Sequence, residues 1–191
     1  MPRPKKINPK EIASKNPIRK SQISGRLLGM KDILPAEYRY FKIVSDRAQE
    51  LAEYFGFNYI KTPLLENYDL YKKSSRRNLE KEVYWVEGEK AEKIIMRPEI
   101  TQGIVRAYLE NINQFTLPSK LFSLGPVFRQ EKLQSGRYRE STQFDLEIIG
   151  DAKPMAEVGL IALVNNFFKE LKINVQVQIN SLGSRRLPKR I

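Results

Sequence analysis

The sequence predicts an α+β domain on a mostly antiparallel sheet flanked by helices, and three observations lead there. Short runs rich in β-branched and aromatic residues are bounded by turn residues, as paired strands are. Longer runs between them carry apolar residues at three- and four-residue spacing, the helical period. Strands grouped into hairpins with helices between the groups, rather than strict strand–helix alternation, favour antiparallel pairing.

The first 26 residues, MPRPKKINPKEIASKNPIRKSQISGR, hold four prolines, eight Lys/Arg and the single acid Glu11, so residues 1–26 are expected to be a disordered basic arm. Asp32 is a cap or turn residue, and Pro35 suits a first helical turn. Phe41, Val44, Ala48, Leu51, Ala52 and Phe55 then mark one face of a long helix that Gly56 ends. Phe57 to Ile60 reads as a strand stopped by Pro63, and VYWV (83–86) with KIIM (93–96) reads as a hairpin around Glu87 and Gly88. Residues 99–111 read as a helix, 120–128 as extended, and 154–171 as a helix. INVQVQIN (173–180) alternates as a half-buried strand does. Residues 184–191 are a second basic tail, with four Lys/Arg and no acid.

A chain of 191 residues, 41% apolar, with nine Phe, nine Tyr and one Trp, has enough material for one core. It has neither cysteine nor histidine, which excludes disulfides, a thiol nucleophile, imidazole bases and Cys/His zinc sites. The chemistry left runs on carboxylates, Arg, Lys, hydroxyls, amides or a loosely held hard cation, and no metal-ligand set is read from the chain. The net charge of +12 sits almost wholly in the two tails, leaving 22 bases against 21 acids in residues 27–183. The arm is therefore either a solvated tail or a source of weak, salt-sensitive attraction to RNA. The longest apolar run, Leu160 to Val164, is far short of the roughly 20 residues of a membrane span. No signal peptide is visible, so a cytoplasmic setting with no membrane partner is expected.

The stretch FRQEKLQSGRYRESTQFDLEIIG (128–150) is patterned as a hairpin and carries its charge on one face. With a period of two, Arg129 and Glu131 share a face opposite Phe128, and Ser141, Gln143, Asp145 and Glu147 share a face opposite Thr142, Phe144, Leu146 and Ile148. An ordinary solvated sheet face would explain the acids and amides alone. It does not explain an arginine and a carboxylate two residues apart followed by a loop with Gly136, Arg137, Tyr138 and Arg139. Guanidinium forks bind phosphate oxygens in pairs, whereas Glu and Gln accept from an amine or ring N–H. Such a face suits a phosphorylated ligand beside a cationic or amide group.

These residues also resemble a known family. FRQE followed by SGRYRE and TQFDLEIIG is similar to motif 2 of the class II aminoacyl-tRNA synthetases, in the form found in histidyl-tRNA synthetases. GMKDILPAE (29–37) resembles the segment that opens that family's core, and GFNYIKTPLLE (56–66) resembles motif 1 with its proline at Pro63. RPEIT (97–101) resembles the histidine-binding segment, and INSLG (179–183) the end of the strand that follows. The resemblance covers about residues 27 to 183, and it implies a partial class II synthetase-like catalytic core there.

The same resemblance implies activation of L-histidine by ATP, with Mg²⁺ accompanying the ATP, and transfer to tRNA(His), in a cytoplasmic homodimer. It makes Arg129 the catalytic arginine, gripping the α-phosphate of ATP and the amino-acid carboxylate. Arg137 falls where a loop arginine contacts the outer phosphates, and Glu131 in the adenine and acceptor-end neighbourhood. Ser141 stands where the family has an aromatic, usually Phe, that stacks on adenine. Glu99 and Thr101 match the pair that holds the substrate's α-amino group, and Gln143 and Glu147 the pair near the α-amino group and imidazole ring. Without the resemblance, Glu99 also reads as a helix-start acid favoured by the dipole, and Asp145 is assigned no role.

No segment resembles the family's second histidine-binding motif, its motif 3 or its anticodon-binding domain, so the chain alone is expected not to form histidyl-adenylate. Two other classes of function remain open on the sequence. One is the non-catalytic regulatory paralogue of histidine biosynthesis, which usually reads RPD where this chain has RPE and often lacks the loop arginines. The other is an inactive binding or dimerisation module.

Overall fold

The computed structural model describes residues 25–72, 79–88, 92–132, 134 and 136–180. The basic arm up to Ser24, the tail 184–191 and residues 181–183 of INSLG lie outside the described residues. In chain order the elements are α1 (Pro35–Tyr54), β1 (Asn58–Tyr59), β2 (Leu65–Asn67), α2 (Tyr68–Lys72), α3 (Leu79–Glu82), β3 (Tyr84–Val86), β4 (Ile94–Met96), α4 (Thr101–Glu110), β5 (Ser119–Phe128), β6 (Glu140–Ile149) and α5 (Pro154–Glu170).

The first helix begins at Pro35, where a missing N–H costs nothing. Leu34, not Asp32, takes the N-cap position, in extended conformation and without a side-chain cap. The residue before a proline is driven out of the helical region, which is the cap geometry; Asp32 lies instead 3.9 Å from Arg26. Gly56 ends the helix with φ +82°, a conformation that costs a residue with a Cβ. The predicted face is buried only in its second half, at Ala48, Leu51 and Ala52.

Two three-stranded sheets replace the single expected one, in the orders β1-β5-β6 and β2-β4-β3. The predicted 57–60 strand is shorter than expected: β1 pairs only Asn58 and Tyr59, parallel to Leu121 and Phe122 of β5. All other pairs are antiparallel, including the expected hairpin that sets Trp85 opposite Ile95. The strand expected at 173–180 does not form. Its apolar set Ile173, Val175, Val177 and Ile179 is exposed and pairs with no strand among the described residues. Alternation makes a strand only where a neighbour takes its hydrogen bonds.

The β5–β6 ribbon is covered on both faces. On one, Phe144, Leu146 and Ile148 join Ala52, Phe57, Phe122 and Leu163, bringing α1 and α5 onto the sheet. Phe122 and Leu163 are fully buried, each contributing about 1.5–3 kcal/mol of transfer free energy. On the other, Leu121 and Val127 lie beneath Ile104 of α4 and Ile100, the residue that caps it. The small second sheet has its own core of Tyr68, Tyr71, Val83 and Ile95.

Candidate functional site

The polar face of β6 looks toward the start of α4. Ser141, Gln143, Asp145 and Glu147 stand opposite Val127, Gly125, Ser123 and Leu121 of β5. Two of those four partners are small, which leaves room above the strands for the 97–101 segment. That segment bonds directly to the face: Ile100 N donates to Gln143 Oε1 at 3.2 Å and Thr101 Oγ1 to Asp145 Oδ2 at 3.1 Å.

Arg129 lies just beyond the β5 ladder, so it is not on a continuous strand face as period two predicts. Its main-chain N–H still donates to Arg139 O at 2.8 Å, extending the hairpin. Its side chain is anchored by Nε donating to Pro98 O at 2.8 Å. Nη2 then lies 3.7 Å from Glu99 Oε2, Nη1 3.9 Å from Glu131 Oε1, and Arg137 Nη1 3.8 Å from Glu131 Oε2. These approaches are long and partly solvated, so they add little stability, and the guanidinium N–H groups stay available to an anion. A cavity of about 330 Å³ beside them is lined by Arg129, Glu131, Arg137, Tyr138, Ser141 and Gln143, among others.

The other end of the site has the opposite character. Burial pushes the carboxyls of both Asp145 and Glu147 up from their ordinary range; the Thr101 hydroxyl partly offsets this, and the Glu99 charge adds to it. Neither acid forms an ion pair among the described residues. Glu99 accepts from Gln102 Nε2 at 2.5 Å, and its main-chain oxygen accepts from the Tyr71 hydroxyl at 3.1 Å. Two half-buried carboxylates without a cation among the described residues favour an ammonium or protonated ring, while the guanidinium end favours phosphate.

The structure therefore gathers Arg129, Glu131, Arg137, Ser141 and Gln143 around one cavity. It sets Glu99 against Arg129, and Thr101 beside Asp145 and Glu147. Three residues were missed in the sequence. Asp145, which received no role, accepts from Thr101; its place on the polar face was the available signal. Gln130 ties the hairpin to the junction of α3 and β3, its N–H donating to Glu82 O at 2.7 Å and Nε2 to Val83 O at 3.2 Å. Arg97 is a buried cation, which no periodicity marks.

A family model described as histidyl-tRNA synthetase matches residues 29–187. The histidine–tRNA ligase of Desulforapulum autotrophicum is 38% identical over 162 residues, which is 82% of this chain and 38% of that protein. The chloroplastic histidine–tRNA ligase of Porphyra purpurea is 39% identical over 160 residues, 81% of this chain and 37% of that one. This chain thus spans less than two fifths of these relatives' length. Among solved structures, S. aureus histidyl-tRNA synthetase superposes with a TM-score of 0.66 at 27% identity, covering 78% of this chain and 35% of that chain. A Bacillus halodurans protein described as an ATP phosphoribosyltransferase regulatory subunit/histidyl-tRNA synthetase gives 0.71 at 26% identity, over 78% of this chain and 38% of that chain. Since motif positions, fold and matched segments agree over the same stretch, the chain belongs to the histidyl-tRNA synthetase family.

Proposed function

We propose that this chain carries the ATP- and histidine-gripping face of a histidine–tRNA ligase, which activates L-histidine with ATP and esterifies it to tRNA(His). The observation that carries this reading is the two-ended site, with guanidinium groups at one end and, at the other, half-buried carboxylates that meet no cation among the described residues. In the proposed reaction the histidine carboxylate attacks the α-phosphorus of ATP and pyrophosphate leaves. A terminal tRNA hydroxyl then attacks the acyl carbon and displaces AMP.

Arg129 holds the two reacting anions together and stabilises the charge that builds on phosphorus; one such donor is worth about 2.7–4 kcal/mol. Its Nε anchor on Pro98 O fixes the guanidinium before any ligand arrives. Arg137, whose exposed side chain lies 3.8 Å from Glu131, closes over the outer phosphates. Glu131 steadies both guanidiniums on the adenine side, where Ser141 forms part of the wall. Glu99, Thr101 and Glu147 receive the ammonium group and imidazole, and Gln143 keeps a second lone pair on the oxygen that Ile100 N already engages. Mg²⁺ bound with the nucleotide would screen its outer phosphates. Among the described residues no three acids gather to cage it, and Glu131 is already turned to two guanidiniums.

A regulatory role shares the fold, but RPE at 97–99 and the arginines at 129, 137 and 139 favour the ligase. The exposed Tyr38, Tyr40, Ile43 and Val44 on α1 support a homodimer. No described helix is long and apolar enough to cross a membrane, and a cytoplasmic setting is part of the proposal. The test is histidine-dependent exchange of pyrophosphate into ATP, with the chain joined in frame to the remaining part of a curated relative. The joined protein should exchange, and Arg129→Ala should lower the rate by about a hundred- to a thousandfold. Near-parental exchange by Arg129→Ala would remove the role assigned to it. The chain alone should show no exchange.

A further inference from the structure

Arg97 is only 4% exposed, yet its positive charge meets no carboxylate in an ion pair among the described residues. Among the described residues, every side-chain hydrogen bond it makes goes to an oxygen of another segment. Nε donates to Pro126 O at 2.9 Å, and Nη1 donates to Thr62 O at 3.2 Å and to Thr62 Oγ1 at 3.0 Å. Its main chain does the same, with N donating to Leu64 O at 2.9 Å and O accepting from Phe128 N at 3.0 Å. The next link along is Arg129 Nε on Pro98 O. Together these bonds lock residues 97–98 alongside 126–129, the step that brings Glu99 within 3.7 Å of Arg129.

We propose that Arg97 is a positioning residue, whose buried guanidinium sets the register of the 97–101 segment against the end of β5 so that Glu99 and Arg129 face one cavity. An apolar side chain would fill the same space without the desolvation cost of a cation. The planar fork is suited to bonding carbonyls of two segments at once, which an ammonium group on a flexible stem does not do. The neighbouring strand is shaped to admit it. A Cβ added at Gly125 would lie 2.5 Å from Arg97 Nη2, so glycine there leaves the guanidinium its place. The proposal rests on the ligase reading only for what the register serves, since the register itself exists without any ligand.

Hydrogen exchange followed by NMR on the whole chain tests it. In Arg97→Met, exchange of the Phe128 amide and the Arg129 Nε–H should speed up by about tenfold or more, while the Leu121 and Ser123 amides in the middle of β5 change by less than about threefold. A residue that merely adds stability would raise exchange uniformly. Uniform acceleration, or none at Phe128 and Arg129, overturns the proposal. Gly125→Ala, which crowds Nη2 from outside, should reproduce the local pattern, and it decides the matter by the same two outcomes if Arg97→Met does not fold. Arg97→Lys should fail to restore protection. Titration of the parent chain with ATP and with histidine runs in parallel: absence of binding would count against the proposed function and leave the exchange result to judge Arg97 alone.

Discussion

Replacing Arg106 with methionine tests what holds the helix that presents Thr101. Arg106 donates through Nε to Glu66 Oε2 at 3.1 Å and through Nη2 to Glu66 Oε1 at 2.9 Å, a two-pronged pair between α4 and β2. The Glu66 side chain is 7% exposed and that of Arg106 25%. The helix lies so close that a Cβ on Gly103 would come within 3.3 Å of Glu66 Oε1. Methionine keeps much of the stem's bulk but removes both donors to Glu66, stranding that carboxylate away from water, along with the Nη1 bond to the exposed Glu110 at 2.6 Å. Breaking a buried pair from one side costs about 3–5 kcal/mol, and partial exposure of the arginine places this case at the lower end, about 3 kcal/mol. Removing both charges, with Glu66→Leu and Arg106→Met together, should cost less than Arg106→Met alone because the only carboxylate then left without its arginine is the exposed Glu110, which water solvates. Urea unfolding at pH 7, followed by circular dichroism, should show the single variant's midpoint falling by about 1–2 M for an m-value near 2 kcal/mol/M. A loss below about 1 kcal/mol, or a double variant worse than the single, would refute the reasoning. The apolar contacts of Ile100 and Ile104 would then be what fixes α4.

Burial raises the carboxyls of Asp145 and Glu147, so the folded chain binds their protons more tightly than the unfolded chain does. Their ionisation therefore costs stability as pH rises above the ordinary carboxylate value of about 4. Asp145→Asn, which keeps an oxygen for Thr101, should melt higher than the parent at pH 8, with the gap closing toward pH 4; a pH-independent gap would contradict this. Ser141→Phe puts an aromatic ring into the cavity beside Arg129 and should tighten ATP by about 1–3 kcal/mol, read by calorimetric titration. An unchanged ATP affinity would mean that no base stacks there.

Local features were legible in the sequence. The α1 period and its glycine stop, the 83–96 hairpin and the polar face of β6 follow from spacing and turn chemistry that each segment carries by itself. What was not legible depends on partners far along the chain. The alternation at 173–180 is present, but alternation does not supply a neighbouring strand. The significance of Asp145 depends on Thr101, 44 residues away. Arg97 and the Glu66–Arg106 pair look like surface charges until packing encloses them, since a buried charge has no periodic signature. The candidate site stood out mainly because the stretch that resembles motif 2 places its groups within one hairpin.

On the proposed function, one charged hairpin face holds histidine and ATP side by side. Backbone and Arg side-chain NMR shifts of the whole chain, titrated with each ligand, test it most directly. Histidine should give saturable shifts at Thr101, Gln143 and Glu147, and ATP at Arg129, Arg137 and Ser141, with the ATP shifts lost in Arg129→Ala. Shifts centred on the opposite face, in the cavity of about 230 Å³ lined by Phe55, Phe57, Lys120 and Ile148, would contradict the claim, as would the absence of saturable shifts at about 1 mM ligand, the weak end of measurable affinity.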